Sequence, residues 1–310
     1  LGWLLMISLC VVPFYRFKWK RDKWGIWLIH LGLIILIMGC FLIQKTAIES
    51  QMIIAEGKTK SYTESRDHAE WIVERAISST QNRGVAFDGE LLASKKINKI
   101  PLDSLYPNDT PFQINVLHYY PNSEVRIATG VHPIITKGQG RRLNVRSIPL
   151  DGTIDGGNQP SAIIEAYSDN KSLGIWLVSY YINRPQYIDY KGTKYAIQLR
   201  PKRYEHPFQV QLIDFRHDRY PGTNIPKNFS SDVQIISDDG SEFKYKIYMN
   251  NPLRYGGLTF YQASFAENET VSVFQVVKNA VWWFPYLASA IITLGIFLQL
   301  LVMIPKRRPL

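Results

Sequence analysis

The sequence predicts an integral membrane protein in which two complete transmembrane helices and a truncated third helix flank a large β-rich domain. Two apolar runs meet the length of about 20 residues that a helix needs to cross a bilayer. Basic clusters adjoin both runs, and the long region between them is dense in short alternating segments and turn signals. With 46% hydrophobic and 20% charged residues in 310, the composition excludes a disordered protein.

The apolar runs predict helices at 24–43 and 282–304. The first run has no charge apart from a possible one on His30, and Pro285 falls in the first turn of the second, where a missing N–H costs least. A shorter run, 1–14, is interpreted as the end of a truncated transmembrane helix. A cleaved signal peptide is less expected, because the basic residues follow this run instead of preceding it.

The charges predict the orientation. The net charge is +10, and the loop 15–23 and the tail 305–310 together contribute seven of these charges. The positive-inside rule places both segments in the cytoplasm, so we expect 44–281 on the extracytoplasmic (periplasmic) side of the cell inner membrane. Because the excess charge adjoins the membrane and does not cover a domain face, no nucleic-acid partner is expected.

The region 44–281 is predicted to form an antiparallel β-sandwich or barrel-like domain. Short alternating or β-branched runs recur between Gly, Pro and Asp turn signals. The segment 68–78 fits a strand and a short helix about equally. The predicted strands are 113–120, 162–167, 174–181, 194–199, 208–215, 233–236, 243–249, 258–265 and 271–277.

The sequence contains no motif for a nucleophile, a phosphate loop or a catalytic metal, so no catalytic residue is predicted. His30 is the first candidate binding residue. An ionisable side chain within an apolar helix is costly and is usually functional. A neutral imidazole in apolar surroundings is a good axial ligand for haem iron. An interhelical hydrogen bond is the alternative role.

Glycines recur every seven residues on the same predicted helix, at Gly25, Gly32 and Gly39. Such a stripe of small residues allows close approach of another helix. His30 lies two residues before Gly32, which is about 200° around the helix, so the imidazole is predicted on a different face.

The second candidate is the segment 249–265, MNNPLRYGGLTFYQASF. Asn and Pro at 250–252 predict a turn, and Gly256 and Gly257 permit positive φ or a close backbone approach. Arg254 and Tyr255, next to the glycines, could contact an anionic ligand group or a partner. A well-packed hairpin without a binding role is the alternative.

The run NPLRYGGLTFYQASF at 251–265, close before the last apolar segment, resembles the ResB/CcsB family of cytochrome c biogenesis proteins. The segment 30–33 is similar to the histidine-bearing helix of that family. The segment 180–186, YYINRPQ, and the two PF-x-[IV] strands at 111 and 207 are similar to family members as well.

The resemblance implies a membrane subunit of a cytochrome c synthase complex, which helps haem cross the membrane and reach apocytochrome c. Such a subunit is accessory to haem attachment rather than a complete enzyme. It implies His30 as an axial ligand of a transient haem b, shared with a multi-span CcsA/ResC-type partner. Arg254 and Tyr255 are then candidate contacts for haem or partner. A thiol-reducing thioredoxin-like protein is a further implied partner.

Two other functions stay open on the sequence. A membrane-anchored β-domain acting as a haem-free chaperone or assembly factor would make His30 dispensable. An extracytoplasmic hydrolase would need a buried acidic pair in a cleft, which a sequence cannot reveal.

Overall fold

The computed structural model describes residues 2–16, 23–76, 82–93, 112–130, 132, 134–151, 157–223, 226–266 and 270–304. Most of the predicted basic loop and the whole predicted basic tail lie outside the described residues. The chain forms two compact units. The first comprises 1–49, 213–233 and 244–310, and the second comprises 50–212 and 234–243.

Within the described residues there are four α-helices, a short 3-10 helix at Gln139–Arg142 and fifteen strands, and the order of elements is nearly all-β between the terminal helices. The helices are α1 Gly2–Arg16, α2 Trp24–Thr46, α3 Glu90–Ala93 and α4 Phe284–Met303. The strands are β1 Ile48–Ala55, β2 Thr59–Ala76, β3 Asn82–Asp88, β4 Gln113–Tyr120, β5 Ser123–Ile127, β6 Leu143–Ser147, β7 Ser161–Ser168, β8 Lys171–Ser179, β9 Gln186–Tyr190, β10 Thr193–Arg219, β11 Pro226–Ser237, β12 Glu242–Tyr248, β13 Leu253–Tyr255, β14 Leu258–Ala266 and β15 Val271–Lys278.

In the first unit, α2 and α4 are long and apolar enough to cross a membrane. Only 11% of the most apolar stretch of each helix is buried inside the protein, which differs from the mostly buried core helix of a soluble protein. Helix α2 continues three residues beyond its predicted end, and the Thr46 hydroxyl donates to the Leu42 carbonyl at 2.7 Å in this last turn. Helix α4 begins with Pro285 in its first turn, as predicted. Helix α1 is too short to cross as it stands.

The glycine face of α2 packs closely on another helix, as the sequence predicted, and that helix is α4. Gly25, Gly32 and Gly39 are the buried residues of α2. A Cβ atom at Gly25 would lie 2.5 Å from the Gly295 carbonyl oxygen, and one at Gly32 would lie 2.5 Å from Cγ1 of Ile292. Contacts this short leave room only for glycine, so the close approach of the two backbones depends on the seven-residue repeat.

A second face of α2 contacts α1. The rings of Trp3 and Phe41 stack with their centroids 4.7 Å apart. Phe41 lies two residues after Gly39, about 200° around the helix from the α4 contact. His30 lies three turns before Phe41 and about 20° from it in azimuth, so the imidazole belongs to the face that α1 uses and not to the α4 face.

In the second unit, two β-layers enclose the main core. Strand β2 pairs antiparallel with β1, β3 and β10, and β9 pairs with β10. A three-stranded sheet, β4–β7–β8, covers this layer. Trp71 of β2 and Ile197 of β10 belong to the same buried cluster as Ile164 of β7 and Trp176 of β8. This layering fits the predicted antiparallel sandwich.

The other face of β7 is buried as well, because Ile163 packs in a separate cluster with Leu177, Ile135 and Ile182. The hairpin β5–β6 contributes partly buried side chains to that cluster. Its pairing is antiparallel over the full length of both strands. The middle layer of the unit is therefore apolar on both sides, which explains the nearly continuous apolar sequence of β7.

The segment 68–78, which fitted helix and strand equally, is strand up to Ala76, and residues 77–78 lie outside the described residues. One prediction in this region needs correction. The predicted strands 194–199 and 208–215 are parts of one strand, β10. The sequence favours a break there because proline has no N–H for the ladder. The structure instead keeps one strand with two register irregularities, between Pro201 and Arg203 and between Glu205 and Val210.

Candidate functional site

The hairpin β13–β14 of the first unit carries the sequence motif at 249–265. Its two-residue turn, Gly256–Gly257, has φ of 57° and 75°, and Tyr255 pairs with Leu258 across it. Positive φ at both positions is the requirement of a type I′ turn, which matches the twist of the strands. A Cβ atom at Gly257 would meet nothing within 4 Å. The backbone conformation, and not close approach, therefore requires glycine at 257.

The preceding turn is held by Asn251. The Asn251 side-chain amide donates to the Lys246 carbonyl at 2.9 Å, and its Oδ1 accepts from the Tyr245 hydroxyl at 3.1 Å. The Asn251 backbone N–H also donates to the Tyr248 carbonyl at 2.9 Å. These bonds fix the entry of the chain into β13, so the position of Arg254 is set by the sheet and not by a loose loop.

The alternation of a strand would place Leu258, Phe260, Gln262 and Ser264 on one face, and β14 follows this pattern only in its first half. Leu258 and Phe260 are buried, whereas Tyr261 is 39% exposed. A β-bulge between Gln262 and Ser264 then shifts the register against β15. Ser264 is therefore exposed and not on the Phe260 face, where the simple alternation placed it.

A cleft of about 530 Å³ lies in the first unit beside the glycine turn. Its walls come from β13 and β14, from Ile43 near the end of α2, and from the beginning of α4. The α4 side contributes Trp282, Pro285 and Tyr286. Tryptophan and tyrosine at the ends of apolar helices are typical of a membrane–water interface.

Arg254 is exposed in this cleft and lies against an aromatic wall. Its guanidinium carbon is 5.7 Å from the centroid of the Trp282 ring. Trp282 in turn meets Tyr286 edge-to-face at 5.9 Å. A guanidinium over an aromatic face retains N–H groups at its edge for an anion. The arrangement can hold a flat apolar molecule against the rings and a carboxylate at Arg254.

Tyr255, the other residue predicted at the turn, also lines the cleft, so the structure brings Arg254 and Tyr255 together. The sequence did not indicate Trp282 as their partner. Its position at the beginning of an apolar run indicates an interface residue and nothing about the hairpin. The short interval between β15 and α4 is the one signal that could have linked it to Arg254.

His30 is half-buried in the second turn of α2. Its Nδ1 is 2.9 Å from the Ile26 carbonyl oxygen. A carbonyl only accepts, so Nδ1 donates to it, and in the neutral imidazole Nε2 then carries the lone pair. Among the described residues, no group of three His, Cys, Asp or Glu side chains could hold a metal ion.

The structure separates His30 from the hairpin cleft. Ile43, which lines the cleft, is thirteen residues along α2 from His30, and this corresponds to about 20 Å along the helix axis. That distance exceeds the reach from a haem iron to its propionate oxygens. His30 and Arg254 therefore belong to two separate candidate sites in the first unit.

Comparison with known proteins gives a family match that includes the motif at 251–265. Residues 191–273 match the ResB-like family. The matched segment contains the hairpin with Arg254, Tyr255 and both turn glycines, whereas His30 and the segment 180–186 lie outside it.

Curated relatives include cytochrome c biogenesis proteins. The chain is 55% identical over 54 residues to cytochrome c biogenesis protein CcsB of Crocosphaera subtropica, covering 17% of this chain and 12% of that protein. It is 30% identical over 102 residues to protein NrfI of Wolinella succinogenes, covering 33% of this chain and 11% of that protein. The matches thus span only about an eighth of these relatives. The relationship to the ResB-like family that the sequence predicted is thereby confirmed, and residues 191–273 carry it.

Proposed function

We propose that this chain is a membrane subunit of a cytochrome c synthase, which helps haem cross the membrane and be delivered to apocytochrome c. One observation carries the proposal. The hairpin within the ResB-like segment presents Arg254 in a cleft that also contains the ends of both apolar helices. The name of the CcsB relatives, cytochrome c biogenesis protein, supports the biogenesis role.

The cleft suits haem as a cargo. Haem is a flat apolar ring with two carboxylates on one edge. The aromatic wall of Trp282 and Tyr286 suits the ring, and Arg254 suits one carboxylate through a charge-assisted hydrogen bond. Covalent attachment joins the haem vinyl groups to thiols of the apocytochrome, so this chain contributes binding and orientation and supplies no nucleophile.

His30 would serve an earlier point on the same route. It lies about 20 Å along α2 from the cleft, on the helix face that α1 shares, and its Nε2 is the nitrogen suited to iron. We propose that it holds haem b transiently, together with a histidine from a multi-span CcsA/ResC-type partner. Two separate sites would let haem pass from His30 to the cleft in two steps.

The proposed location is the cell inner membrane, with α2 and α4 as crossing helices and 44–281 on the extracytoplasmic side. The basic clusters at both ends and the aromatic residues of the cleft support this orientation. Apocytochrome c and a thiol-reducing thioredoxin-like protein would meet the complex on that side, because the substrate thiols must be reduced before they react.

Deletion of the gene in the parent organism tests the proposal. Haem staining of denatured cell extracts measures covalent haem, and immunoblotting measures apocytochrome. We expect covalent haem to disappear from c-type cytochromes while exported apocytochrome is still made and b-type haem proteins persist. Unchanged covalent haem would refute the proposal. A loss of the apocytochrome itself, restored by a His30→Ala chain as well as by the natural one, would instead indicate a haem-free chaperone.

A further inference from the structure

A second cleft, of about 450 Å³, lies within the second unit where the ladder between β2 and β10 is interrupted. Pro201 pairs with Ala69, but Arg203 pairs with Glu64, so several residues of β2 loop out opposite one residue of β10. The Ser65 hydroxyl oxygen accepts the N–H groups of Asp67 at 3.3 Å and His68 at 3.1 Å, which stabilises the excursion. Irregularities of this kind often accompany binding sites.

Three arginines line this cleft, Arg66, Arg200 and Arg203, and each of them also interacts with another group of the protein. Arg200 Nε donates to Glu70 at 2.7 Å, and Glu70 is only 6% exposed. Arg203 Nε donates to Glu64 at 3.1 Å. A guanidinium has five N–H donors, so each pair uses only part of its hydrogen-bonding capacity.

The cleft also contains amide side chains from separate segments of the chain. Gln51 belongs to β1, Gln159 precedes β7, and Asn183 follows β8. Within the part of the chain that the structure describes, these three amides have no hydrogen-bond partner from the protein. An amide side chain both donates and accepts, which matches the N–H and C=O groups of a polypeptide backbone.

The lining excludes an apolar ligand such as a porphyrin ring. Nine of the fifteen lining residues carry charged or amide side chains, whereas pockets for small molecules are mostly apolar. The Tyr180 hydroxyl, at the same cleft, donates to the His68 carbonyl at 3.3 Å. Burial, with smaller contributions from Tyr119, Glu70 and Glu64, raises the pKa of Tyr180, so this group remains a donor.

We propose that this cleft binds an extended polypeptide segment that carries a carboxylate. The amides would bind the segment's backbone, and Arg66 and Arg200 would bind the carboxylate. Three amides and two guanidiniums offer more donors and acceptors than one small acid can use, which favours a polypeptide segment. This binding is distinct from the haem handling proposed above and is measured without haem.

The test uses the full chain in detergent micelles and a fluorescein-labelled, capped peptide with a central run of glutamates. Fluorescence anisotropy reports binding. We expect Arg66→Gln to weaken binding about tenfold, the loss of one hydrogen bond to a charged group. Gln159→Ala should weaken it about threefold, the loss of one neutral hydrogen bond. The thermal midpoint is measured for each variant, and a loss of affinity that only follows a loss of stability would overturn the proposal.

Arg146→Gln is the matched control, because Arg146 is 71% exposed on β6 and bonds Glu124 outside the cleft. It should leave affinity unchanged. Equal weakening by Arg146→Gln would show diffuse charge attraction and overturn the proposal. A peptide with glutamines in place of glutamates that binds equally well would overturn it too, as would citrate binding as tightly as the peptide.

Discussion

The guanidinium of Arg254 lies 5.7 Å from the centre of the Trp282 ring, although the two residues are separated by two whole strands of sequence. Arg254 belongs to the short strand β13, and Trp282 precedes α4. A cation–π contact at an exposed site contributes about 0.5–1 kcal/mol, too little to hold a fold together. The contact instead keeps a cation beside the aromatic wall of the cleft.

Replacing Arg254 with Gln should therefore lower cytochrome c maturation and leave the protein folded. We expect about a tenfold loss of covalent haem, because one charge-assisted contact to a carboxylate is removed. Haem staining measures maturation, and immunoblotting of membranes measures abundance. Arg254→Lys should restore part of the activity, since it retains the charge but not the planar donor set.

Lys244→Gln serves as the control for this change, because Lys244 is an exposed cation on β12 in the same unit. It should leave maturation unchanged. If Arg254→Gln lowers protein abundance in proportion to the lost maturation, Arg254 is a structural residue. Full maturation at normal abundance would remove it from the site.

Because the glycine face of α2 packs closely on α4, we expect a larger side chain on this face to destabilise the first unit. A Cβ atom at Gly32 would lie 3.0 Å from the Ala288 carbonyl oxygen of α4, and a backbone atom cannot rotate away. Gly32→Leu should destabilise the unit by about 1–3 kcal/mol, the typical cost of overpacking. Thermal unfolding in detergent measures the loss. Leu31→Phe, at a position that is 48% exposed, adds bulk on another face and should change little. Equal effects of both changes would contradict the packing account.

Lowering the pH should reduce the stability of the second unit, because Asp88 becomes protonated. The backbone N–H of Glu90, followed by Lys202, lowers the pKa of Asp88 below its ordinary value of 3.8. The folded state therefore binds fewer protons than the unfolded state, and stability falls as the pH drops from 3.8 through the folded pKa. Asp88→Asn should lower stability at neutral pH and flatten the acid slope of urea unfolding. Asp189→Asn, at an exposed position on β9, is the control. An unchanged slope in Asp88→Asn would contradict this assignment.

Local patterns predicted much of this architecture because their causes are local. The seven-residue glycine repeat fixes one face of α2 whatever its partner is, and α4 is the partner found on that face. The pair Gly256–Gly257 encodes its own turn, since only glycine adopts positive φ at both positions without strain. Both features could therefore be predicted from the sequence without knowledge of tertiary contacts.

Features that depend on contacts between distant residues could not be predicted from the sequence. Arg200 and Glu70 form an ion pair at 2.7 Å across 130 positions, and no pattern near either residue indicates it. The second cleft arises from the register irregularity at Pro201, which the sequence suggested only as a break between strands. The separation of His30 from Arg254 likewise required the length of α2 and the position of Ile43 in the cleft.

The most direct test of the proposed haem handling is the visible absorption spectrum of the protein purified with the proposed multi-span partner. We predict a haem Soret band that is strongly reduced by His30→Ala and partly restored by added imidazole, which fills the vacant iron position. Leu31→Ala, at the neighbouring exposed position, should retain the full band. An identical spectrum and haem content in His30→Ala, with normal cytochrome c maturation, would contradict the account.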